Sequence, residues 1–208
     1  MSQRERLFQT ITWMTGLVVS VLAITAWGDY YNWQLWPIYT YHLFPIFGLL
    51  AFSLMWSHYV TGALRQLMGL DKAVLKRYFT ITSWIVLVLI CLHPGLLIYQ
   101  RFRDGYGLPP HSYESYVNPG LGWVTLLGTV SLLVFLAFEL RRWYGDRSWW
   151  HYVANAGDLA MLAILYHGLR LGTTLTSGWY RYVWFFYFVT LVAVLTRKYI
   201  NRYSKSPA

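Results

Sequence analysis

Residues 79–99 read FTITSWIVLVLICLHPGLLIY, without one Asp, Glu, Lys or Arg. A helix needs about 20 mostly apolar residues to cross the hydrocarbon core of a bilayer, and this run has that length. Lys76 and Arg77 stand before it, and Arg101 and Arg103 follow it. Working outward, five further stretches have the same character: Leu7–Trp27, Tyr39–Val60, Gly120–Leu140, Tyr152–Leu171 and Tyr180–Thr196. Together the six leave almost nothing for a soluble domain. The expected fold is therefore all-α, a six-helix transmembrane bundle forming one integral membrane domain over residues 1–208.

The composition agrees. Of the 208 residues, 57% are hydrophobic and 12% charged, against about half apolar and about a quarter charged in soluble domains. One residue in five is aromatic, with Trp 12, Tyr 18 and Phe 11, which suits helix ends wetted by lipid headgroups. A single cysteine, Cys91, excludes an internal disulfide, and the absence of Cys-x-x-Cys-His excludes covalently attached haem. The net charge of +9 does not point to nucleic acid, because the basic residues lie in short connections and form no face of a soluble domain. Arg4 and Arg6 precede the first stretch as they would in a signal peptide. That run is too long for one and no small-residue cleavage site follows, so it counts as helix one.

Lysine and arginine in the connections set the orientation. Arg4 and Arg6, Arg65 to Arg77, Arg141 to Arg147 and Arg197 to Lys205 place thirteen on one side, and Arg101, Arg103, Arg170 and Arg181 place four on the other. Both termini are therefore expected in the cytoplasm. The longest connection, Gln100–Pro119, reads as an external loop rich in Pro, Gly and Tyr. The expected location is the cell membrane of a bacterium or archaeon, with the lipid bilayer as the first partner.

Six histidines occur, and an imidazole inside a helical bundle is a functional hypothesis by default. His42, His93 and His167 fall toward the outside, His58 and His151 toward the cytoplasm, and His111 in the external loop. A b-type haem needs two neutral imidazoles facing each other at one depth, and bundle cores supply such pairs from facing helices. His93 near the end of helix three and His167 near the end of helix five meet that condition.

At these residues the chain resembles a family. Phe47-Gly48-Leu49-Leu50-Ala51-Phe52, Gly69-Leu70-Asp71-Lys72 and Leu92-His93-Pro94-Gly95-Leu96-Leu97 resemble the second and third helices of the ferric reductase-like transmembrane domain. The Trp150 region with Leu165-Tyr166-His167 resembles its fifth. The family includes NADPH oxidases, STEAP-type metalloreductases and the haem subunit of bacterial methionine sulfoxide reductase. Its two-haem members carry a second histidine 13 or 14 residues before each outer one, about 20 Å away at about 1.5 Å per residue. Here those positions hold Phe79 and Thr80, and Val153 and Ala154, none of which ligates iron. The resemblance thus implies a minimal variant with one haem b in the outer leaflet, held by His93 and His167. It moves one electron at a time at the outer face, supplied by a flavin or quinone on the cytoplasmic side. No flavin or NADPH domain is legible in the chain, so the donor would be a separate flavoprotein or quinol. Whether it is the membrane component of a metal or oxygen reductase stays open.

Other polar groups carry alternatives. His58 and His151 could hold an inner haem and complete a two-haem transmembrane conduit, or rest among headgroups. His42 could replace an outer ligand or contact a propionate. Arg170, one turn beyond His167, suits a haem propionate, and Arg101 and Arg103 could serve the same end. Asp158, about two turns into helix five, would tend to take up a proton unless paired; with Asn155 it reads either as a proton or quinone-headgroup site or as a hydrogen bond to a neighbouring helix. A different class of function, a non-catalytic anchor or haem-based sensor subunit, fits the missing inner ligands.

Overall fold

The computed structural model describes residues 2–34 and 36–204. The elements are α1 (Gln3–Tyr30), α2 (Thr40–Leu67), α3 (Ala73–Arg103), the one-turn α4 (His111–Glu114), α5 (Gly122–Glu139), the short α6 (Arg141–Tyr144), α7 (Trp150–Leu171), the short α8 (Thr173–Thr176) and α9 (Tyr180–Tyr203). No strand occurs among the described residues. At the start of α1, Ser2 forms a capping box with Glu5, each supplying an acceptor for the other's backbone N–H.

Five helices are long and apolar enough to cross a membrane: α1, α2, α3, α5 and residues Tyr180–Arg202 of α9. The expected span Tyr152–Leu171 coincides with α7, which has 22 residues but is not among the five. Its length suffices; Asn155, Asp158, His167 and Arg170 lower its hydropathy. Helices α1, α2, α3, α7 and α9 also overrun the expected spans, because the hydrogen-bonded ladder continues past the apolar run wherever side chains still pack, whereas α5 falls within Gly120–Leu140.

The stretch Gln100–Pro119 corrects the expectation of a loop. Helix α3 continues through Arg103, and α4 forms within the remainder. Gln100 and Arg101 are buried and extend the packed face. The helix stops where Gly105 takes φ +85°. There the Tyr106 N–H bonds the Arg101 carbonyl at 3.0 Å and the Gly105 N–H bonds that of Phe102 at 3.1 Å, a Schellman cap.

Successive long helices run antiparallel. At one end the Trp27 indole donates to the His42 carbonyl at 2.7 Å, and the Trp179 indole donates to Asp29 at 3.2 Å. At the other, Phe8 packs with Leu70, Val74 and Leu75. The first is here called the histidine end and the second the basic end. Lys205, counted with the basic residues of the second, lies outside the described residues.

The core gathers around α2, which packs on α1, α3 and α9. Phe52 stacks on Trp184 at 4.3 Å, and Trp56 lies 4.4 Å from Tyr187. Gly168 makes room for this stack, since a Cβ there would come within 2.4 Å of the Trp184 ring. The remaining long helices form a second close pair, α5 with α7. Helix α3 makes little contact with either member of that pair, leaving a slot between α2/α3 and α5/α7.

Candidate paired-histidine site

His93 projects from α3 onto α2. Its Nδ1 lies 2.7 Å from the Phe44 carbonyl oxygen. The imidazole rests against Gly48, where a Cβ would come within 2.8 Å of the ring. His167 projects from α7 onto α5 in the same manner. Its Nδ1 lies 2.9 Å from the Val124 carbonyl oxygen, and a Cβ on Gly128 would come within 2.7 Å of its ring. In both cases the carbonyl and the glycine are one helical turn apart on the receiving helix. The carbonyl takes the proton of the ring and the glycine supplies the space.

A carbonyl oxygen only accepts, so each Nδ1 is the protonated nitrogen and donates. Each Nε2 then carries a lone pair, and neither has a protein hydrogen-bond partner among the described residues. A backbone carbonyl that accepts from Nδ1–H is the arrangement that orients a metal-binding imidazole and raises its basicity. The two rings lie near each other across the slot. No group of three or more His, Cys, Asp or Glu side chains suited to a bare metal ion occurs among the described residues. Two imidazoles alone suit an iron whose other ligands come from a macrocycle. The residues present therefore fit a b-type haem.

The other histidines are engaged differently. His42 accepts the Tyr39 N–H on Nδ1 at 3.3 Å, which puts its proton on Nε2, the opposite tautomer from His93 and His167. Its ring packs on Tyr31 and Tyr39. His58 faces α3, with its Nε2 on the Thr82 hydroxyl. That hydroxyl gives its only proton to the Tyr78 carbonyl, so the His58 Nε2–H is the donor and is unavailable to a metal. Phe79 packs against the His58 ring at 4.7 Å. His151 lies at the start of α7, with Nδ1 2.6 Å from the Ser148 carbonyl and its ring 3.9 Å from that of Tyr152. His58 and His151 show no mutual contact among the described residues.

Asp158 has partners on two other helices. The residue is buried, at 3% exposure. Oδ1 accepts from the Tyr59 hydroxyl of α2 at 3.1 Å, and Oδ2 accepts from the Tyr199 hydroxyl of α9 at 2.9 Å. Lys198, also on α9, forms an ion pair with the same Oδ2. Asn155, one turn earlier, accepts from Arg202 at 3.2 Å. Asp158 and Asn155 border a groove of about 660 Å³ between α7 and α9, otherwise lined mainly by Leu159, Leu162, Val192 and Leu195.

Arg170 is exposed. Arg101 is buried, stacked on Tyr106 and close to Tyr116. Sequence reasoning missed Gly48 and Gly128 as the seats of the two rings, the Phe44 and Val124 carbonyls, and the partners Tyr59, Lys198 and Tyr199 of Asp158. A glycine four residues after a large apolar residue was visible at both seats. Which helix would receive which histidine was not.

No protein-family model matches the chain, and no curated protein or solved structure matches it.

Proposed function

We propose that the protein is a b-type membrane cytochrome of the ferric reductase-like kind, a six-helix bundle with both termini in the cytoplasm. The membrane is that of a bacterial or archaeal cell. A single haem lies toward the outer face, in the slot between α2/α3 and α5/α7. The observation that carries this reading is the matched pair, His93 and His167, each with Nδ1 on a carbonyl, a glycine under its ring and Nε2 unengaged.

When bound, the haem iron supplies one-electron oxidation and reduction. His93 and His167 would hold the iron through Nε2. The Phe44 and Val124 carbonyls keep both rings from rotating and hold the proton on Nδ1 throughout. Electrons would arrive from the cytoplasmic side, from a separate flavoprotein or a quinol. The polar cluster around Asp158 stands at that end of the bundle, in keeping with a donor contact there.

A pyridine haemochrome assay on the detergent-purified protein tests this directly. About one haem b per chain is expected. His93→Ala and His167→Ala each abolish haem binding, whereas His151→Ala leaves it intact. Loss of haem in the His151 variant would overturn the ligand assignment, and a value near two would require inner ligands such as His58 and His151.

A further inference from the structure

Six buried polar side-chain atoms lack a hydrogen-bond partner among the described residues; four of them, Gln100 Oε1, Arg101 Nε, Ser112 Oγ and Thr125 Oγ1, belong to the histidine end. Arg101 is the only cation among these residues and is 6% exposed. Its guanidinium lies 3.4 Å from the centroid of Tyr106 and 5.7 Å from that of Tyr116. One Nη donates to the Ser115 hydroxyl. The neighbouring carboxylate, Asp104, is already engaged by the Tyr41 hydroxyl at 2.8 Å and by the Gln100 amide at 2.7 Å. Among the described residues no carboxylate forms an ion pair with Arg101. A guanidinium stays charged at any physiological pH, and leaving it buried without an anion is costly.

A chain of ring contacts links Arg101 to the paired histidines. Tyr116, beside Arg101, meets Phe44 at 6.0 Å, and Phe44 in turn lies 5.5 Å from His93 and holds its Nδ1 proton. Tyr106 covers one face of the guanidinium, and a planar, two-oxygen anion pairs best along the N–H edges.

We propose that Arg101 anchors a carboxylate at the mouth of the histidine slot. That carboxylate is either a propionate of the bound haem, in which case the inference rests on the haem reading above, or a small organic acid taken from solution.

The test compares the full-length, haem-stripped protein titrated with haemin and with haemin dimethyl ester, followed by Soret absorbance, and with acetate, followed by thermal stability. If the anion is a propionate, haemin binds about tenfold or more tighter than its diester, since a charge-assisted contact is lost. The preference disappears in Arg101→Gln and persists in Arg181→Gln. If the anion comes from solution, haemin and diester bind alike, while acetate stabilises the parent protein and not Arg101→Gln. Equal porphyrin binding together with no effect of acetate overturns the proposal. Should neither porphyrin bind, the haem reading fails and the acetate titration alone decides the pocket. Should Arg101→Gln not fold, Arg101→Lys takes its place, and the two porphyrins on the parent chain still discriminate.

Discussion

Gly48 and Gly128 make the residue-scale case, because each adds space where any side chain would collide with an imidazole. Ala at either site puts a methyl group within 2.8 Å of the His93 ring or 2.7 Å of the His167 ring. Packed interiors tolerate such insertion poorly, at a cost of about 1–3 kcal/mol. Gly48→Ala and Gly128→Ala are therefore expected to lower thermal stability and to weaken haem binding together. A double-mutant cycle separates this from a general effect of alanine. With His93→Ala in the background, the ring is gone and Gly48→Ala becomes nearly neutral; an equal cost in both backgrounds would mean that the glycine serves something other than the histidine.

At the scale of the element, α7 differs from the five other long helices. It carries Asp158, and the cost of burying that carboxylate is offset by Tyr59, Lys198 and Tyr199 on two flanking helices. Lys198 is half-exposed, so the ion pair contributes less than a fully buried one. Replacing Asp158 with Ala leaves the Tyr59 hydroxyl without its acceptor and removes the partner of Lys198, and a loss of about 1–3 kcal/mol in thermal unfolding is expected. Whether α7 crosses the bilayer is open to labelling. In a Cys91→Ser background, Ser148→Cys and Thr176→Cys are expected to react with a membrane-impermeant maleimide from opposite sides. Reaction of both from one side would place α7 as a re-entrant or interfacial element and remove the six-span reading.

Across the whole molecule, two helix pairs face each other over a slot that α3 hardly bridges. A ligand held by one histidine from each pair links them. Binding to the folded state alone stabilises by about 2.7 kcal/mol when the free ligand is at 100 times its Kd. Haem is therefore expected to raise the melting temperature and to slow proteolysis in the connection between α3 and α5. A haem-loaded protein that is cut as fast as the stripped one would argue against a ligand spanning the slot.

The long apolar runs and the skew of basic residues needed only the sequence, because crossing hydrocarbon depends on length and hydropathy, which are local. The common depth of His93 and His167 was legible for the same reason, since depth along a helix follows from residue count. Polar α7 was the exception, for its hydropathy falls where its side chains have partners elsewhere. Which helix receives each histidine, why Gly48 and Gly128 are needed, what neutralises Asp158, and that Arg101 is buried while Arg170 is exposed are relations between distant segments. Those were decided by the tertiary structure alone, because hydrogen-bond partners and steric room come from helix packing, and no periodicity within one helix encodes its neighbour.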